Sequence, residues 1–363
     1  MHSSMRTPRT SALPAQFGRD QRGFTGAEKA LLVCFGLAIV LVAGALLRAG
    51  SERAATDAKR TLATQSAPLS ALGQTVQPMQ AAEVAPRSGP GDKKQPALRG
   101  DQVEYSDRIL VGGVEHEPVL FIDGPSADDV QQGALGDCWL LASLAAVAHT
   151  QPQAIRDMIQ PNGDGTYTVT FYRDARGRFL FFNTGGNTET VRVNVSLPIN
   201  RETGTLAYGQ LGQVREGQAE IWVALVEKAY AQARGSYGAI EGDWPGRGMT
   251  AVTGWQSDSI GLARANRQEV IRRMREARDA GWPMVASTPA TPADREGMIR
   301  LNVVANHAYT VIGVRDDGSV MLRNPWGFNH PGTRRPTDPP TWISYDDFVR
   351  HYSNLAINRI GQR

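Results

Sequence analysis

One thiol in this sequence is placed where it could act as a nucleophile. Of the two cysteines, Cys34 lies in an apolar N-terminal run, which leaves Cys138 as the single thiol of the remaining chain. It stands within QQGALGDCWLLASLAAVAHT, residues 131–150. Gly136 and Asp137, followed by an apolar stretch, put the sulfur on the first turn of a helix. The unpaired N–H groups there carry partial positive charge and lower a thiol's pKa. The same place suits a buried core cysteine equally well, so position alone does not decide between them.

Attack on an amide also needs an imidazole to handle the proton and a third group to orient that imidazole. The chain has six histidines. His2 is in the leader region and His149 at the far end of the cysteine helix. His116 sits among charges, and His330 and His351 flank Pro-rich and helical segments; these read as solvated or structural. His307 differs, because NHAYTVIGV puts it at the entrance to an apolar strand, where a ring is held firmly yet faces a cleft. Seventeen residues on, RNPWG puts Asn324 at the end of the next strand. A turn through Asp316-Asp317-Gly318 would bring Asn324 beside His307, where its amide oxygen can fix the tautomer. Taken alone, Asn324 reads as a turn-former before Pro325. A developing oxyanion needs preformed donors as well. The Cys138 backbone N–H is one, and either Gln131 or Gln132 could supply a side-chain amide; spacing does not choose between them.

These residues need a folded body to position them. At 363 residues, with 41% hydrophobic and 21% charged residues, the chain is long enough for one large or two modest domains. A net charge of +3, with no basic run interleaved with aromatics, gives no support for a nucleic-acid partner. Ala30–Leu47 carries no charge over eighteen residues and reads as a membrane-spanning helix. It is longer than a usual secretory h-region and has no clear small-x-small cleavage site. Arg22-Gly23-Phe24-Thr25-Gly26-Ala27-Glu28 resembles a prepilin-type leader, with a cut after Gly23, Glu28 as the matching acid, and a prepilin peptidase as the implied partner. Basic residues before the span barely outnumber those after it, a small vote for a body outside the cytoplasm. The organisation expected is a leader at 1–29, a single span at 30–48 and an Ala/Gln/Ser/Pro-rich tether at 49–100, which composition cannot tell from a pro-segment.

Beyond Asp101, patterning predicts a strand at Val119–Ile122 and the Cys138–His149 helix. Strands follow at Thr166–Tyr172, Arg178–Phe182 and Thr190–Val195, then helices at Glu220–Arg234 and 266–279. Strands at Met284–Ser287, Ala308–Val314, Val320–Arg323 and Leu355–Arg359 complete an α+β chain. A more helical half thus precedes a β-rich half, divided near Gly242–Gly254.

QGALGDCWLLASLA at 132–145, NHAYTVIGV at 306–314 and RNPWG at 323–327 together resemble the three catalytic blocks of calpain-type cysteine proteases. WVALVEKAYAQARGSYGAIEG, SLPINRETGTLAYG and ISYDDFVRHYSNLAI also look like family sequence, and the likeness runs over about residues 101–360. It implies a papain-like core of two subdomains, 101–245 with Cys138 and 246–363 with His307 and Asn324, and a cleft between them. Carried over, Cys138 is the nucleophile of an endopeptidase acting on protein substrates through an acyl-thioester, His307 the acid/base and Asn324 its orienter. Gln132 is the oxyanion donor, in preference to Gln131, and Trp326 shields the His–Asn pair. The resemblance also implies one Ca²⁺ site, with carboxylates from Asp129 and Glu220 and carbonyls from Ile122 and Gly124. A second site is expected to be weak or absent, because His330 and Pro340 stand near carboxylate positions and only Asp338 remains. The family's β-sandwich and EF-hand-type modules have no counterpart in the resemblance, so the control they provide is expected to be missing. A silent binding module on this fold and a pilin-like structural protein are the rival readings; the intact Gln132, Cys138, His307 and Asn324 count against the first and the extent of the likeness against the second.

Overall fold

The computed structural model describes residues 95–173, 188–328 and 340–361. The leader motif, the apolar run 30–47, all but the last residues of the tether, the anticipated strand at 178–182, His330 and Asp338 lie outside the described residues. Among the described residues no helix is long and apolar enough to cross a membrane.

After two short strands at Val103–Ser106 and Ile109–Val111, the elements of the first half that bear on the site are β1 (Val114–Val119), α1 (Cys138–Thr150), β2 (Thr166–Tyr172) and β3 (Thr188–Asn194), of which β2 and β3 pair antiparallel. Then come β4 (Gln218–Glu220), parallel to β1, and the helices α2 (Trp222–Arg234) and α3 (Pro245–Thr253). Helix α1 is apolar on every face, and Trp139 through Ala148 are all buried, as an all-round hydrophobic helix must be. Its neighbours come close. A Cβ on Gly248 of α3 would lie 2.7 Å from Ser143 Oγ, so only glycine fits at that crossing.

The second half is a six-stranded antiparallel sheet. Along the chain it contains β5 (Ser257–Gly261), then α4 (Arg267–Ala280), β6 (Met284–Ser287), β7 (Ala308–Val314), β8 (Val320–Arg323), β9 (Thr341–Ile343), α5 (Tyr345–His351) and β10 (Asn354–Asn358). The strands are ordered β5-β10-β6-β7-β8-β9. Helix α4 begins at its Asn266 cap, whose side chain accepts from Glu269 N, and buries Val270, Met274 and Ala277 along one stripe. A second apolar cluster, which includes Met274, Trp282, Leu322, Phe348 and Ile357, fills this half separately from the cluster around α1.

Two expectations need correction. The strand expected at Val119–Ile122 ends at Val119. Beyond it, Ile122 N–H donates to the Glu220 carboxyl, and Asp123 and Gly124 take φ of 60° and 93°, which turns the chain off the ladder. Glu220 does not open a helix; it closes β4 opposite Val119, Ile221 N–H still donates to Val119 O, and the helix starts at Trp222.

Candidate active site

Cys138 is the first residue of α1 and sits partly buried at the floor of a cleft of about 410 Å³, with His307, Ala308, Thr288 and Trp244 among the walls. The helix terminus does not determine its acidity. Burial, reinforced by the neighbouring Asp137 charge, pushes the thiol up to about 11, although the Ala308 backbone N–H donates to the sulfur. Cys138 therefore rests as a neutral thiol.

His307 lies one residue before β7. Its backbone is held through Thr288: the His307 N–H donates to Thr288 Oγ1 at 3.0 Å, and Thr288 N–H donates to His307 O at 2.9 Å. Asn306 before it takes φ of 52°, a left-handed conformation that asparagine tolerates better than most residues. The hairpin register puts Thr310 opposite Arg323, so Asn324, one residue further, reaches the ring. His307 Nε2 is 2.8 Å from Asn324 Oδ1. The same oxygen accepts the Trp326 backbone N–H at 3.0 Å, which identifies it as the carbonyl end of the amide. Nε2 must then carry the hydrogen, and Nδ1 is left with a lone pair. Burial, the larger influence, lowers the imidazole to about 4 against the opposing pull of Asn324, so the ring is neutral as well. Trp326 covers it, with ring centres 4.7 Å apart.

Gln132 is close by but turned inward. Its Nε2 donates to Leu135 O at 2.7 Å and, weakly, to Asp137 Oδ1 at 3.4 Å, while its backbone N–H donates to Pro325 O. Gln131 instead accepts from Gln210 N–H through its backbone oxygen. Of the other histidines, His149 Nε2 meets Ile312 O and His116 Nδ1 meets Val114 O. His351 is buried on α5, 3.9 Å from Asp294.

Asp129 and Glu220 meet in a second place in the first half, with Ile122 bonded to Glu220, whereas Gly124 lies on the turn after Ile122 against the Arg156 side chain. Asp129 and Glu220 are 2% and 0% exposed, and their carboxyl groups meet. Asp129 also accepts from Ser126 N–H and from Trp222 Nε1–H at 3.0 Å; Glu220 accepts from Ile122 N–H and Gln213 N–H. Burial is the main force raising both acids, Glu220 to about 8. Two carboxyls are hard oxygen donors of the kind Ca²⁺ takes, and of the backbone carbonyls that the resemblance adds, Ile122 O accepts from Gln213 Nε2–H at 3.0 Å. Among the described residues no three acidic, imidazole or thiol side chains converge on a metal-sized space, so an ion here would need those carbonyls.

Sequence reasoning missed Thr288 and Glu227. Glu227 was visible as an acid inside the apolar run Trp222–Val226 with its continuation Ala229–Ala231, and it is 1% exposed.

A partly buried thiol and an Asn-oriented imidazole in one cleft, on a mixed α+β fold, define a candidate cysteine-nucleophile hydrolase. Residues 110–334 match the family model described as calpain family cysteine protease. The chain is 31% identical over 272 residues to the calpain-2 catalytic subunit of Mus musculus, covering 66% of this chain and 37% of that protein. It is 30% identical over 272 residues to calpain-8 of Rattus norvegicus, covering 66% and 36%, and 29% identical over 282 residues to calpain clp-1 of Caenorhabditis elegans, covering 69% and 34%. The chain thus spans little more than a third of the length of these relatives. A solved fragment of prointerpain A from Prevotella intermedia aligns at a TM-score of 0.30 and 10% identity, over 67% of this chain and 73% of that one. The chain belongs to the calpain family of cysteine proteases.

The His307–Asn324 bond has a measurable consequence. Asn324→Ala frees the ring to rotate and removes the Nε2 acceptor. Peptidase kcat is expected to fall on the order of tenfold to a hundredfold with little change in KM. An unchanged kcat would show that Asn324 does not orient the imidazole.

Proposed function

We propose that the chain is a cysteine endopeptidase that cuts protein substrates through an acyl-thioester, on a papain-like arrangement of two subdomains. The observation that carries this reading is the shared cleft, with Cys138 on its floor and in its wall a His307 whose free nitrogen is fixed by Asn324. In the catalytic cycle His307 Nδ1 takes the thiol proton as sulfur attacks the scissile carbonyl, then passes it to the leaving amine. Starting from a neutral pair, deprotonation accompanies attack instead of preceding it. The Cys138 backbone N–H at the helix start and the amide of Gln132, once turned from Leu135, are the oxyanion donors. Water then hydrolyses the thioester with His307 as the base. Casein cleavage should vanish in Cys138→Ala; cleavage that persists in that variant assigns the activity elsewhere.

Calcium responsiveness through one site belongs to the same proposal. Asp129, Glu220, Ile122 O and Gly124 O would hold the ion, which supplies the positive charge that this buried acid pair lacks. Replacing both Asp129 and Glu220 with alanine should remove any calcium-dependent gain in casein cleavage and any calcium-dependent rise in Tm. A double variant that responds like the parent would remove the site from consideration.

Residues 30–47 would anchor the protease as a single-pass membrane protein with its protease part outside the cytoplasm, after a prepilin peptidase has cut at Gly23. N-terminal sequencing of the membrane-extracted protein should begin at Phe24. A chain that starts at Met1, or that is recovered without detergent, would exclude this processing or this anchor.

A further inference from the structure

The residue immediately before the nucleophile is a fully buried acid with another acid against it. Asp137 is 0% exposed, caps α1 without any side-chain bond to the helix, and faces Glu227 of α2, 1% exposed. Asp137 Oδ2 is buried and meets no donor among the described residues. Glu227 receives one backbone N–H, that of Gly209, shared between its two oxygens at 2.9 Å each. Two buried carboxyls in contact cannot both stay ionised at this cost, and a proton held between them satisfies Oδ2. On its other oxygen Asp137 accepts from Gln132 Nε2, the amide assigned above to the oxyanion. A continuous path therefore runs from Glu227 through Asp137, the residue before Cys138, to Gln132.

We propose that Asp137 and Glu227 share one proton and act as a positioning pair, holding the Gln132 amide and fixing the charge beside the Cys138 sulfur. This rests on the peptidase reading of Cys138 and names two residues that support its chemistry without touching substrate. The groups facing the pair are few. Glu241, on the loop before α3, is held by Arg99 and accepts Gly136 N–H. Tyr237 and Tyr208 stack 4.4 Å apart beside it, with the Tyr237 hydroxyl buried and meeting no partner among the described residues. Cys138 is the remaining titratable neighbour. Glu241 is the one further carboxylate among these, and the Arg99 guanidinium pairs with it. Burial raises both acids, Asp137 to about 7 and Glu227 well above its usual range, as sharing one proton requires.

The test uses the full chain with Glu227→Gln and Glu227→Ala. The glutamine amide would offer Asp137 Oδ2 a hydrogen at every pH, whereas alanine would leave that oxygen bare. The first readout is alkylation of Cys138 by iodoacetamide from about pH 5 to about pH 10, followed on the peptide that carries it so that Cys34 does not contribute. The wild-type profile should show an inflection near pH 7 separate from thiol ionisation, and Glu227→Gln should lose it. The second readout is casein hydrolysis, together with Tm. Glu227→Ala should lose kcat on the order of tenfold to a hundredfold with KM within about twofold, and Glu227→Gln should recover most of that loss. A Glu227→Gln alkylation profile that overlays the wild type, or equal kcat in the two variants at matched folding, overturns the pair. Wild-type protein without casein cleavage would count against the peptidase reading alone, because the alkylation profile decides the pair without turnover.

Discussion

The Thr310 hydroxyl donates to Ala142 O at 2.8 Å with both groups buried, and most of the site's geometry depends on that bond and the packing around it. Ala142 lies four residues after Cys138 on α1, and Thr310 three residues after His307 on β7. The bond therefore ties the thiol-bearing helix to the imidazole-bearing strand at the level of the cleft. Ser143, the next residue on α1, donates instead to Pro245 O, and Gly248 lets α3 close on the same turn. A serine and a glycine where two helices cross, and a threonine where a strand meets the same helix, keep three elements in contact.

Burial overrides local electrostatics throughout this site. A helix N-terminus and a backbone N–H from Ala308 both favour the thiolate, yet the thiol stays protonated because the sulfur is largely out of water and has Asp137 beside it. His307 is likewise held neutral. Burial shifts the two groups in opposite directions, the thiol up and the imidazole down, and both shifts favour the neutral forms.

Where residues repeat with a clear period or stop at a clear cap, the sequence states the structure. Thr166–Tyr172 alternates and is a strand over the same bounds, and the helix expected at 266–279 runs over Arg267–Ala280. The His307–Asn324 pairing was also legible, because a turn of Asp-Asp-Gly between two short apolar strands leaves few registers. What could not be read locally was anything decided by a distant partner. Val119–Ile122 is apolar enough for a strand, but Glu220, almost a hundred residues away, takes the Ile122 N–H and ends it. The inward turn of Gln132 depends on Leu135 O and on Asp137, and Asp137 depends in turn on Glu227 from another helix. Glu227 and Lys228 inside an apolar run were the visible sign that polar groups are satisfied within the core; Lys228 Nζ meets Asn194 O, Asn194 Oδ1 and Ser196 O.

Both buried acid pairs join the segment leading into α1 to the region where α2 begins, Asp129 to Glu220 and Asp137 to Glu227. In each case the folded state favours the neutral form, so the linkage has a definite sign. An acid whose folded pKa lies above its unfolded value stabilises the fold fully below about pH 4 and loses that contribution as pH rises through the folded value, about 7 for Asp137 and about 8 for Glu220. His307, lowered to about 4, works from the opposite side: its contribution is complete above about pH 6.5 and is lost as pH falls toward 4. Acid thus works against the buried imidazole, and alkali against the buried acid pairs. The residues that would perform and support the chemistry are also those whose burial confines the native cleft to the middle of the pH range.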